Sequence, residues 1–356
     1  MTSDLFSAHF EYVPAITAQA HGRVNLIGDH TDYNGGLVMP CLLNQTTEIA
    51  LALREDDRIR GISDGFGPME GVRGAQVDGS WMDFVQGAIA MLEPYHEWRG
   101  GVDVAVHSTV PAGAGVSSSA ALEIALLRGL CAALGITDID PVRMAQLAQR
   151  IEHEFVGTQC GIMDQMVSSA ATPGAAMMLD CATLDYQLSN LFPAASFVVM
   201  HSGSSRKLSD GLYNTRLGEC QAAASMLGLS LLSEADIDNL VALDDPLLRR
   251  RARHVVSETA RVRAATIALR DDDMVGFGGL MLESHNSLRD DYEVSSAELD
   301  ALVNAFLDAG ALGARLTGAG FGGCVVALCM NDAVDVIVKA VKNCLPSTYL
   351  VDVVAT

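Results

Sequence analysis

The chain has 356 residues, 49% of them hydrophobic and 19% charged, with a formal net charge of -21. That length exceeds one simple core and points to two domains, and the composition is that of a globular rather than a disordered chain. The acidity excludes nucleic acid and anionic membranes as natural partners, so any phosphate must be held locally, by backbone N–H groups, a metal ion or a few arginines.

Lysines clustered in sequence cannot carry a mechanism here, because only Lys207, Lys339 and Lys342 occur. The eight cysteines are scattered without a CxxC pair, which argues against a zinc site or a thioredoxin motif and fits a reducing compartment. The opening MTSDLFSAHFEYVP has no basic region followed by a long apolar run. No stretch reaches the ~18–20 apolar residues of a membrane span. A cytoplasmic location is expected.

In chain order, ITAQA and RVNLIG read as strands, followed by TEIALALRE, which turns at Asp56-Asp57 into RIRGIS. VDVAVHSTV alternates with period two through Val102, Val104 and Val106. A glycine loop then opens a helix over residues 119–134, closed by Gly135. The next helix has Asp140 as cap, Pro141 in its first turn and an apolar stripe of Met144, Leu147, Ala148, Ile151 and Phe155, and Gly157 ends it. SFVVMHSG is a strand, and the chain is then mainly helical to about residue 310. It finishes as strand GARLT, a glycine loop, strand GCVVALC, helix AVDVIVKAVKN and strand TYLVDVVA. A domain boundary is expected near 185–195.

Three segments carry chemistry. HGRVNLIGDHTDYNGG, residues 21–36, packs two acids, an imidazole, a hydroxyl and an amide into one tight loop that buries little apolar surface. PAGAGVSSSAA, residues 111–121, places two glycines and then three serines at a helix start, where free N–H groups and the macrodipole favour an anion. TGAGFGG, residues 317–323, formally matches G-x-G-x-x-G. The dinucleotide reading fails because a strand follows, not a helix; a tight hairpin remains. No P-loop, protein-kinase catalytic loop or H-E-x-x-H motif occurs.

The first segment resembles the galactokinase signature, the second the phosphate loop of the GHMP small-molecule kinases and RLTGAGFGGCVVAL their C-terminal glycine motif. Glu152-His153, Cys160-Gly161-Ile162-Met163-Asp164-Gln165, Tyr213-Asn214-Thr215-Arg216 and SHNSLRDDYEVS are similar to galactokinase segments too, in the family's order along nearly the whole chain. The resemblance implies a two-domain α+β fold of the GHMP kinase type. An N-terminal mixed α/β domain would span 1–188 and a C-terminal ferredoxin-like α+β domain 189–356, with the active site between them. It implies transfer of the ATP γ-phosphoryl group to the anomeric hydroxyl of a galactose-type sugar, with ATP and Mg²⁺ as cofactors.

By the same resemblance Asp164 is the catalytic carboxylate and Arg23 the arginine that stabilises the transferring phosphoryl group. Ser119 and Glu152 would hold Mg²⁺. The nucleotide would lie on Gly113, Ala114, Gly115, Val116, Ser117, Ser118 and Ser119, with Ser63, Trp81 and Phe84 on the adenine side. Asp29, His30, Thr31 and Asp32 would clasp the sugar, with Gly161 and Tyr213 completing its site.

One departure stands out: the family usually has Glu at the position of Asp29, facing the sugar C6 hydroxyl. An aspartate's oxygens retract by roughly 1.5 Å. A related 1-kinase with altered C6 specificity, such as a galacturonokinase, is therefore a second reading. A non-catalytic galactose sensor is a third, disfavoured because Arg23, Glu152, Asp164 and the triple serine are all present and no basic tail is visible. Expected partners are the sugar and ATP alone, in a monomer or weak homo-oligomer.

Overall fold

The computed structural model describes residues 1–204 and 209–356. The chain forms two compact units. The first comprises residues 1–22, 45–112 and 117–170; the second comprises 23–44, 113–116 and 171–356. Neither is one continuous stretch of sequence, so two short segments of the first half, 23–44 and 113–116, pack with the C-terminal half.

In the first unit the strand Val102–Ser108 pairs antiparallel with residues 47–53 of Pro40–Leu53 and parallel with Arg58–Ser63, whose other edge takes Gly67–Val72. The parallel pair requires a crossover, which the helix Met82–Leu92 supplies. Val102, Val104 and Val106 face a core shared with the helices Met82–Leu92, Ser118–Leu134 and Pro141–Ile151, as the period-two reading requires. The intervening positions are buried as well. A helix that the sequence reading passed over, Thr2–Phe10, lays Phe6 and Phe10 against Ala50, Ala52 and Ala105. Asp103 on that face is fully buried and takes Arg54, Arg60 and Tyr12 as partners.

In the second unit the strands Gly313–Thr317, Cys324–Met330, Ala195–His201 and Tyr349–Val354 form a four-stranded antiparallel sheet in that order. Numbered along the chain this is the 4-1-3-2 order of a split βαββαβ unit, the expected ferredoxin-like pattern. The helices Ala297–Asp308 and Val334–Cys344 contribute Leu299, Leu302, Phe306, Ile337 and Val341 to its core. Leu37–Val38 and Tyr186–Asn190 pair with Ala175–Asp180, which also meets the start of Pro40–Leu53 at Cys41 opposite Ala176. The third glycine motif is the hairpin joining Gly313–Thr317 to Cys324–Met330, as the strand after it predicts. All eight cysteines are free, and no described helix is long and apolar enough to cross a membrane.

Candidate active site

In the first unit, the phosphate-loop helix Ser118–Leu134 begins one residue after Ser117, which sits in the left-handed region at φ 62° and ψ 49°. That conformation is rare outside glycine and is held where its surroundings over-determine it. Here the Ser117 hydroxyl donates to the carboxylate of Asp164, which lies in the first turn of the helix Met163–Ala170. Gly161, buried, precedes that helix.

Glu152 arrives by a local irregularity. The helix predicted to run through to Phe155 is α-helical only over Pro141–Ile151 and continues as one π turn, Glu152–Val156, ended by Gly157 in the left-handed region. Single π turns commonly mark functional positions. Glu152 is buried and bonds to Ser119 and Glu123, and its carboxyl is raised above the ordinary value by burial, with the charge of Asp164 adding. Glu123 is fully buried, bonded to the Gln165 amide at 3.2 Å, and leaves one carboxyl oxygen without a partner. Burial, then the Glu152 charge, pushes its carboxyl well up.

Of the residues expected on the adenine side, Ser63 is buried and accepts from the Gly65 N–H at 3.3 Å. Trp81 and Phe84 pack on the first unit's core, and the Trp81 indole lies so close over Gly61 that a Cβ there would meet it at 2.3 Å. The buried Trp81 N–H has no partner.

The second unit holds the other half of the predicted residues. Arg23 is buried and donates to the Gly115 carbonyl at 2.7 Å, while its backbone N–H bonds Val116 at 3.1 Å. The glycine half of the phosphate loop, Gly113, Ala114, Gly115 and Val116, is thereby tied to the strand that leads into the signature. Gly113 and Gly115 have φ of 74° and 80°, which explains why glycine stands at both.

The signature loop differs from a simple clasp. Asp29 points inward: its carboxylate accepts from Asn25 Nδ2 at 3.0 Å, from Arg315 and from the Gly318 N–H at 3.2 Å. Burial raises its carboxyl against the opposing pull of Arg315, Asn25 and Arg23. Thr31 is fully buried, its hydroxyl lying 2.8 Å from the carbonyls of both Gly28 and Leu37. His30, at φ 64°, uses both ring nitrogens on protein, Nδ1 with Tyr33 at 2.8 Å and Nε2 with the Ala319 carbonyl at 3.2 Å. Asp32 is half-buried in the short 3₁₀ turn Asp32–Asn34. Tyr213, on the helix Ser209–Leu227, brings its ring to 5.9 Å from His30 and 5.2 Å from Tyr33.

Several residues of this arrangement were not singled out from the sequence: Tyr33, Arg315, Tyr292 and His254 in the second unit, Glu123 and Gln165 in the first. His254 is fully buried, accepts from Ser287 at 2.9 Å and donates to the Asp29 carbonyl at 3.1 Å. Burial lowers its imidazole to about 4. Gly28 is fixed in the same way, its N–H donating to Glu258 at 2.9 Å. All but His254 lie in or beside segments already marked by motif, and their roles depend on partners that spacing does not reveal.

Three family models match the chain: the galactokinase galactose-binding signature at residues 4–53, the GHMP kinase N-terminal domain at 83–172 and the GHMP kinase C-terminal domain at 265–347. A galactokinase of Clostridium acetobutylicum is 37% identical, covering 98% of this chain and 95% of its own. The crystal structure of Lactococcus lactis galactokinase complexed with galactose superposes with a TM-score of 0.92 at 32% identity, covering 99% and 97% of the two chains. Methanococcus jannaschii mevalonate kinase shares the fold at a TM-score of 0.71 and 17% identity, over 96% and 98%. The chain has the two-domain α+β fold of the GHMP kinases and belongs to their galactokinase family.

Proposed function

We propose that this protein is an ATP-dependent galactokinase, transferring the γ-phosphoryl group of ATP to the anomeric hydroxyl of galactose to give galactose 1-phosphate and ADP. The observation that carries the reading is the first-unit constellation: Asp164 bonded to Ser117 at the head of the triple-serine helix, with Glu152 on Ser119. Asp164 orients or accepts the proton of the sugar hydroxyl, and the Ser117 bond fixes its carboxylate for that task. Arg23, held by the Gly115 carbonyl, offers positive charge to the transferring group. The linear domains 1–188 and 189–356 and the residue roles inferred from the family belong to this same reading.

The residues present fit a magnesium ion. Ser119 and Glu152 offer hard oxygen donors, and the raised carboxyls of Glu152 and Glu123 mark a buried acidic corner that a divalent cation would relieve. Among the described residues no three His, Cys, Asp or Glu side chains surround one metal position, so phosphates and water would complete the shell. Bound there, Mg²⁺ would neutralise charge on the nucleotide phosphates.

A second reading, altered tolerance at C6, is favoured by one observation: the Asp29 carboxylate is engaged by Asn25, Arg315 and Gly318. A coupled ADP-release assay over galactose, 6-deoxygalactose, galacturonate and glucose decides among these. Turnover with no sugar of the panel would sink the kinase reading.

A further inference from the structure

Tyr292 lies in SHNSLRDDYEVS, a segment marked by its resemblance but given no task. It is fully buried, and its hydroxyl is 2.8 Å from that of Tyr33 and 3.1 Å from the Cys220 thiol. Tyr33 in turn lies 2.8 Å from His30 Nδ1, and His30 Nε2 lies 3.2 Å from the Ala319 carbonyl. Four side chains from three distant parts of the chain thus form one series ending on a backbone acceptor.

Donor and acceptor rules give the series a direction. A carbonyl only accepts, so His30 Nε2 must carry the proton. Burial and the neighbouring His254, Arg216 and Arg315 lower the imidazole to about 3, so the ring is neutral and Nδ1 must accept. Tyr33 therefore donates to Nδ1 and accepts from Tyr292, which accepts from the Cys220 thiol. The reverse order would aim the bare Nε2 lone pair at the Ala319 oxygen.

The same junction holds the backbone. Asn34 donates to the His30 carbonyl at 2.8 Å, Arg216 to the Tyr292 carbonyl at 2.7 Å, and the Phe321 N–H to the Val294 carbonyl at 2.7 Å. His30 and Phe321 both stand in the left-handed region, at φ 64° and 58°, a conformation that persists only where its surroundings fix it.

We propose that Tyr33, Tyr292 and Cys220 are positioning residues: a one-way series of hydrogen bonds that holds His30 as the Nε2–H tautomer, turned to Ala319, and so locks the signature loop to the glycine loop 318–323. The consequence for sugar binding rests on the proposed function; the tautomer does not. With both nitrogens engaged, His30 orients the loop and presents its ring rather than a free hydrogen-bonding atom.

Selective ¹⁵N-histidine labelling of the full-length protein, with His30 assigned by its loss in His30→Asn, reads the tautomer without any turnover. The expected pattern is a protonated Nε2 and a bare Nδ1, unchanged from about pH 8 to about pH 5. Tyr33→Phe shifts the Nδ1 resonance most, Tyr292→Phe shifts it less, and Cys220→Ser leaves it in place. In kinetics, Tyr33→Phe raises the sugar KM roughly three- to tenfold with the ATP KM unchanged, the loss of about one hydrogen bond. Tyr33→Phe/Tyr292→Phe together are no worse than Tyr33→Phe alone, because the groups act in series. A wild-type His30 protonated at Nδ1, or titrating near its ordinary value of about 6.5, overturns the proposal. So do fully additive losses in the double variant. Absence of galactose turnover with the predicted tautomer intact would instead count against the proposed function.

Discussion

Ser117 holds the Asp164 carboxylate from a left-handed backbone, φ 62° and ψ 49°. The hydroxyl and the strained backbone separate in two variants. Ser117→Ala removes the hydroxyl and keeps the strain, while Ser117→Gly removes both and relieves about 1 kcal/mol. Both variants are expected to lose kcat by roughly tenfold or more, since a loosened carboxylate is misaligned. Only the glycine variant should melt at or above the wild-type temperature. Thermal melts beside steady-state kinetics check this, and an alanine variant with wild-type kcat would contradict it.

Glu152 bonds Ser119 in the corner assigned to the cation. Glu152→Gln keeps the shape and removes the charge, so the Mg²⁺ concentration for half-maximal rate should rise about tenfold or more, with little change in melting without metal. Titration of activity and of melting temperature with Mg²⁺ measures both. An unchanged Mg²⁺ requirement would remove Glu152 from the metal site.

Arg315 and Asp29 are both buried, and each is the other's charge partner. Arg315→Met strands the carboxylate and should lower stability by about 3–5 kcal/mol, much of it restored by adding Asp29→Asn. Chemical denaturation of the single and double variants reads this. The same engagement leaves little of Asp29 for a C6 hydroxyl. Loss of that hydroxyl, as in 6-deoxygalactose, should therefore reduce kcat/KM by less than about tenfold. A loss of about a hundredfold would mean that Asp29 reaches the sugar after all.

Buried His254 has its imidazole lowered to about 4 by burial, against the pull of Glu258. The native state keeps it neutral while the unfolded chain takes up a proton below about 6.5, so stability falls as pH drops from about 6.5 to 4. The depression corresponds to about 3 kcal/mol as an upper figure. The raised carboxyls of Glu123 and Glu152 act with the opposite sign, so the test is a comparison. Over that window His254→Gln should show a shallower decline in melting temperature than wild type, and parallel curves would contradict it.

Much of the fold was legible because local signals agreed with it. Gly135 and Asp140–Pro141 bounded their helices, Val102, Val104 and Val106 faced the core, and the strand after TGAGFGG excluded a dinucleotide site. The helix Thr2–Phe10 was missed because its apolar residues are few, and only the far face of the sheet explains them. The π turn at Glu152 was hidden because an apolar stripe at helical spacing runs straight through it. The candidate site residues were chosen by motif, which carries no information on the direction of their side chains. Asp29 and Thr31 turn inward because Arg315 and the Leu37 carbonyl, far off or around a turn, satisfy them better than a simple loop would.

The central claim is that Asp164 serves galactose phosphorylation, and one measurement meets it most directly: galactose-dependent ADP release by wild type and Asp164→Ala, with melting of both recorded. Robust wild-type turnover, and a fall of about a thousandfold or more in a variant that still folds and binds ATP, is the predicted result. Turnover by Asp164→Ala at the wild-type rate would contradict it.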